Sequence, residues 1–134
     1  MTTGPWRVLI VDADARVRRG LRALLEGEPD IVVVGEAATA AQALRCDLAL
    51  HPSVILLDLM LPTIEDGLEA VRCLAAQRRC CIATSWRDSL RDAVLAVGAS
   101  GFIEKGASPE IVRAAIRAEC RTGGCLAPSR DTCR

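Results

Sequence analysis

Four polar residues stand where four apolar runs end. Asp12 follows residues 7–11 (RVLIV), Asp58 ends the run VILLD, Thr84 ends CCIAT and Lys105 follows GFIE. A carboxylate at the mouth of an apolar strand costs desolvation unless water, a cation or hydrogen bonds compensate, which makes Asp58 the first functional candidate. Two carboxylates, a hydroxyl and an ammonium gathered at one edge of a sheet would form a binding or catalytic crevice, because ligands of open parallel sheets sit at the carboxyl ends of the strands.

The elements between these residues decide whether they meet. Residues 54–57 are apolar without alternation, as in a strand covered on both faces, and Pro62 forces a turn soon after. Residues 7–11, 31–34, 80–84 and 101–104 read as the other strands. Between them lie stripes at helical spacing: Val17, Leu21, Leu24 and Leu25; the Ala/Leu-rich residues 40–50; Leu68, Val71 and Ala75; Leu90, Ala93, Val94 and Val97; Ile111, Ala114, Ala115 and Ala118. Asp14 and Asp66 are placed to cap the first and third helices, Gly98 stops the fourth, and Ser108-Pro109 starts the fifth. Five strands alternating with five helices predict an α/β sheet of parallel strands with helices on both faces, and right-handed crossovers put every strand's carboxyl end on one edge. Asp12, Asp58, Thr84 and Lys105 are then expected to converge.

The chain has 134 residues, 51% of them apolar and 25% charged, which suits one folded domain with a real core. Acidic and basic residues balance at 17 each, so no global attraction to nucleic acid or anionic lipid follows. No apolar run is long enough for a bilayer, and the N-terminus lacks a secretory pattern, so a cytoplasmic protein without membrane contact is expected. Residues 1–121 read as the domain, and 122–134 (TGGCLAPSRDTCR) as a tail or the start of a linker. The seven cysteines, at 46, 73, 80, 81, 120, 125 and 133, include no CxxC pair, and His51 has no evident metal partner. An odd count in such a chain predicts reduced thiols, the first five buried as small hydrophobes and the last two in the tail.

Asp12, the VILLDLMLP block, Asp66-Gly67, CIATS and GASGFIEKGASPE resemble, in that order, the motifs of the receiver domain of bacterial two-component response regulators. The last segment and VRRGLRALLE resemble most the NarL/LuxR-type branch, whose receivers precede a helix-turn-helix DNA-binding domain. The resemblance implies a (βα)5 flavodoxin- or CheY-like fold with strand order 2-1-3-4-5. It implies a signal-receiving domain phosphorylated on Asp58 by a partner histidine kinase, with Mg2+ held by Asp12, Asp58 and the Met60 carbonyl. Thr84 and Lys105 would bind the phosphoryl group, and the rotamer of Phe102 would follow the switch. A homodimer, DNA contact only through a domain after residue 121, and no enzymatic activity beyond assisting its own phosphorylation and dephosphorylation are the further implications.

The departures from that pattern are as informative as the matches. Receivers carry two adjacent acids after the first strand, and here the pair reads Asp12-Ala13. Losing a charged ligand weakens a site for an ion that wants six oxygens. Asp14 could reach in, but it is also the cap of the first helix. Ala13 therefore supports a rival reading, an atypical receiver that acts through dimerisation, a ligand or a protein partner without phosphorylation. A flavin-binding enzyme of the same topology fits less well, because the acidic loop DADAR would repel a flavin phosphate.

Overall fold

A computed structural model describes residues 4–121. The tail reading of 122–134, with Cys125 and Cys133, lies outside them. The elements are β1 (Trp6–Val11), α1 (Ala15–Glu26), β2 (Ile31–Ala37), α2 (Ala40–Leu50), β3 (Val54–Asp58), α3 (Ile64–Ala76), β4 (Cys81–Ser85), a 3-10 turn (Asp88–Leu90), α4 (Arg91–Ala96), β5 (Gly101–Glu104) and α5 (Pro109–Glu119). All pairings are parallel, in the order β2-β1-β3-β4-β5. Among the described residues no helix is long and apolar enough to cross a membrane.

Alternation along the strands splits the core in two. Leu9, Val11, Ile55, Leu57, Cys81, Ala83 and Phe102 face the layer supplied by α2, α3 and α4, including Ala43, Val71, Leu74 and Val94. Val8, Ile10, Val54, Leu56, Ile82 and Ile103 face Leu25 of α1 and Val112 and Ile116 of α5. All of β3 is buried, because it runs through the centre of the sheet with helices on both faces.

Three expectations need correction. β2 does not stop at Val34 but runs to Ala37: Val8 pairs with Val33 and Leu9 with Gly35, so Val34 is an extra residue at a bulge. Pairing with β1 holds the strand together where its β-branched pattern ends. Thr63, not Asp66, caps α3: the Thr63 hydroxyl accepts from the Asp66 N–H (3.1 Å), while the Asp66 carboxylate accepts from the Thr63 N–H (3.4 Å). This reciprocal pair satisfies two N–H groups that a first-turn helix leaves open, whereas an Asp66 cap would satisfy one. The third correction concerns the thiols. Cys80 and Cys120 are joined in a disulfide, with Cα atoms 5.5 Å apart across a separation of 40 residues. Cys46, Cys73 and Cys81 are free, and burial pushes the Cys81 thiol up to about 12.

Candidate functional site

The carboxyl ends of β1, β3 and β5 bring Asp12, Asp58 and Lys105 into side-chain contact. The Asp12 N–H donates to the Ala37 carbonyl (3.0 Å), which fixes the residue just past β1. Its carboxylate accepts from the Asp14 N–H (2.9 Å) and from Lys105 Nζ (2.7 Å). Lys105 Nζ also lies 3.3 Å from Asp58 Oδ2, while Asp58 Oδ1 accepts from the Met60 N–H (3.3 Å). Thr84 pairs with Asp58 in the β3–β4 register, so both side chains point to the same face of the sheet. The Thr84 carbonyl accepts from the Leu59 N–H (3.0 Å), tying the loop after Asp58 to β4.

The side chains of the remaining sequence candidates stand apart from this cluster, although the Met60 and Asp14 N–H groups donate into it. Phe102 pairs with Ala83 and is buried in the core, with the Arg91 guanidinium 4.9 Å from its ring centre. Met60 is half exposed. Asp14 does not turn inward: its carboxylate accepts from the Arg16 N–H (2.8 Å) as the cap of α1. Ala13 supplies no ligand, and among the described residues no three acidic, thiol or imidazole side chains gather closely enough to hold a metal.

Two residues beside the site, Arg18 and Trp86, were not among the sequence candidates. Arg18 donates from Nη1 to the Asp12 carbonyl (2.5 Å) and is itself held by Glu36 (3.0 Å), which also pairs with Arg22 (2.7 Å). This chain fastens the loop after β1 to α1 and β2. Nothing in the sequence separates Arg18 from the neighbouring arginines, because its partner arrives only when β2 extends to Ala37. Trp86 is exposed beside Gly106, whose φ of +90° suits glycine, and a Cβ there would lie 3.4 Å from the indole.

Burial raises the carboxyl of Asp58, the Lys105 ammonium opposes this, and the neighbouring Asp12 adds to it. Burial alone would lower Lys105, but its contacts to Asp12 and Asp58 outweigh that and hold it above its usual value. The cluster is two buried anions around one cation. Lys105→Met is therefore expected to cost about 2–4 kcal/mol at neutral pH, since it leaves both carboxylates without a counter-charge. An acid whose folded-state value is raised holds a proton that the unfolded chain releases. The loss should thus shrink as pH falls toward the unfolded value of 3.8 for Asp58. Urea melts across that range test this, and a pH-independent loss would mean that the lysine acts by packing alone.

Five parallel strands in this order, with an acidic pocket and one lysine at their carboxyl ends, define a doubly wound α/β domain. Residues 8–117 match the response regulator receiver domain family, and the chain belongs to that family. It is 35% identical over 116 residues to the transcriptional regulatory protein LiaR of Bacillus subtilis, covering 84% of this chain and 54% of LiaR. It is 41% identical over 104 residues to the DNA-binding transcriptional activator DevR/DosR of Mycobacterium tuberculosis, covering 74% and 47%. The chain thus spans about half the length of these curated relatives. The signal receiver domain of the response regulator NarL from Mycobacterium tuberculosis superposes with a TM-score of 0.78 at 29% identity, covering 87% of this chain and 97% of that one. The chain is a receiver domain of the NarL/LuxR type.

Receiver domains generally bind Mg2+ at the acidic pocket. Here Asp12 and Asp58 fit a hard cation in chemistry, but both oxygens of Asp12 are engaged, one by the Asp14 N–H and one by Lys105. A cation must share these carboxylates with the lysine, without the anionic oxygen that an acid at position 13 would add.

Proposed function

We propose that this domain receives a phosphoryl group on Asp58 from a partner histidine kinase in the cytoplasm and passes the change to a transcriptional output. The observation that carries the reading is Asp58 itself: a buried carboxylate with Lys105 Nζ at 3.3 Å and Thr84 beside it in register. An Asp58 oxygen attacks phosphorus, the bond from phosphorus to the donor breaks, and an acyl phosphate remains. Lys105 and the Thr84 hydroxyl meet the added charge, and Phe102 adjusts as Thr84 moves. Asp12, Asp58 and the Met60 carbonyl would hold Mg2+, which when bound would supply positive charge beside the transferring group. The domain assists its own phosphorylation and dephosphorylation and acts on no separate substrate. The domain would act as a homodimer and reach DNA only through a further domain, in keeping with its similarity to the DNA-binding transcriptional activator DevR/DosR, of which it covers 47%.

Incubation with acetyl phosphate and Mg2+ should add one phosphoryl group to the intact protein and none to Asp58→Asn, as read by mass spectrometry. Ala13→Asp should tighten Mg2+ binding about tenfold and speed the reaction, because it adds an anionic oxygen to the pocket. Without metal the same variant should melt lower, since a third carboxylate joins Asp12 and Asp58 around one lysine. Wild type left unmodified at high Mg2+ would transfer the case to a phosphorylation-independent receiver. An Ala13→Asp variant with unchanged Mg2+ affinity would show that the metal pocket differs by more than this residue.

A further inference from the structure

Cys80 and Cys120 differ in access although one bond joins them. Cys120 is buried among the side chains between the sheet and α5, where its N–H donates to the Ile116 carbonyl (3.1 Å) and its carbonyl accepts from Trp6 Nε1 (3.0 Å). Cys80 is half-buried and lines an open cavity of about 210 Å³ with Arg78, Arg79, Ser100, Glu119 and Arg121. Arg79 is neutralised there by Asp47 at 2.6 Å, so among the described residues Arg78 and Arg121 supply the cavity's positive charge, offset in part by Glu119. The adjacent Cys81 packs on the opposite face of the sheet, fully buried, and is badly placed to intercept the exchange. Cys80 Sγ lies 3.3 Å from the Glu119 carbonyl, and a disulfide between a cysteine buried in the core and one that lines an open cavity is attacked faster from the cavity side.

We propose that Cys80–Cys120 is a thiol-exchange site, opened through Cys80 by small anionic thiols of the glutathione class, and that opening it frees the end of α5. A thiolate attacks Cys80 Sγ; the bond to Cys120 breaks, and Cys120 leaves as a thiolate that takes a proton from water. A second thiolate attacks the sulfur of the first thiol in the mixed disulfide and releases Cys80, which is protonated in turn. One protein disulfide is reduced, and two small thiols are oxidised to their own disulfide. The bond pins the residue after α5 to the start of β4, at the opposite end of the sheet from Asp58. Its effect on signalling rests on the receiver reading, since α5 is the last described element of the domain, but the thiol chemistry does not.

The test uses the full chain without any phosphodonor, so its failure and that of the Asp58 reading are separable. After alkylation of the oxidised native protein, tryptic peptides 80–87 and 118–121 should be found cross-linked. Millimolar glutathione without denaturant should then place glutathione on Cys80 and finally yield both thiols. Cysteamine, a cationic thiol, should react about threefold more slowly, a modest ratio because Glu119 offsets one arginine. Reduction should lower the melting temperature by about 10 °C and speed amide exchange at residues 116–120 about tenfold. Cys120→Ser should resemble the reduced protein and ignore glutathione. The proposal is overturned by free thiols at 80 and 120 in air-oxidised protein, by a bond that opens only in denaturant, or by glutathione arriving first on Cys120. Equal rates for glutathione and cysteamine would overturn the route through the arginine-lined cavity.

Discussion

Gly67→Ala is expected to leave little folded protein, while Gly20→Ala is expected to stabilise it. Gly67 lies in the first turns of α3, and a Cβ there would stand 1.8 Å from the Leu59 carbonyl oxygen and 2.5 Å from its carbon. Those are main-chain atoms that cannot rotate aside. Leu59 is fully buried, and its N–H is held by the Thr84 carbonyl at 3.0 Å, so relief would require α3 to move off the sheet or the loop after Asp58 to move out. Either displacement opens the core, and a loss of about 4 kcal/mol follows. Gly20 is exposed in α1 with nothing within 4 Å of the added atom, and alanine there should add about 0.5–1 kcal/mol through backbone entropy. Urea melts of both variants measure the contrast. If Gly67→Ala melts near wild type, the close approach of α3 to the Asp58 loop is not what holds that loop in place.

The strands and the four polar residues at their ends were legible because a buried parallel strand has to be an unbroken apolar run, and its end is where a polar residue first becomes affordable in water. The same logic located Ser108-Pro109 and Gly98, whose local chemistry needs no tertiary information: Ser108 caps α5 and Gly98 takes a φ of +116° after α4. The end of β2 was not legible, because Gly35 and Glu36 break the β-branched pattern and pairing with β1 outweighs their propensity. The Thr63 cap was written in the chain as a Thr-x-x-Asp spacing, but Asp66 just before a glycine imitates a cap of its own.

Partners far apart in sequence were the larger loss. Arg18 meets Glu36 and the Asp12 carbonyl only once α1 and the end of β2 pack together. Cys80 and Cys120 meet only because α5 returns along the sheet to the start of β4. The site's electrostatics fall between these cases: the residue types were evident, but the engagement of both Asp12 oxygens, which sets the competition between lysine and metal, depends on distances that no spacing encodes.

Asp47 and Arg79 are the extreme instance, and Arg79→Met is expected to cost about 3–5 kcal/mol at neutral pH. In sequence each looks like a surface charge, yet Asp47 is 1% exposed and Arg79 7%. Asp47 Oδ1 and Arg79 Nε face each other at 2.6 Å with no other partner for either atom among the described residues, and Arg79 Nη2 reaches His51 Nδ1 at 3.1 Å. Burial already raises the Asp47 carboxyl against the attraction of Arg79, so removing the guanidinium must raise it further. The folded variant then keeps a proton that the unfolded chain gives up, so its deficit should be largest near neutral pH and shrink as pH falls toward 3.8. Adding Asp47→Leu should restore most of the loss, because an apolar pair of similar volume needs no counter-charge. The pair sits below the start of β4, at the other end of the sheet from Asp58, so phosphorylation of the residual folded protein should proceed at the wild-type rate. Urea melts at about pH 5 and 7 for the single and double variants decide the matter. A double variant no more stable than Arg79→Met would show that the arginine acts through His51 and packing, not by neutralising a buried carboxylate.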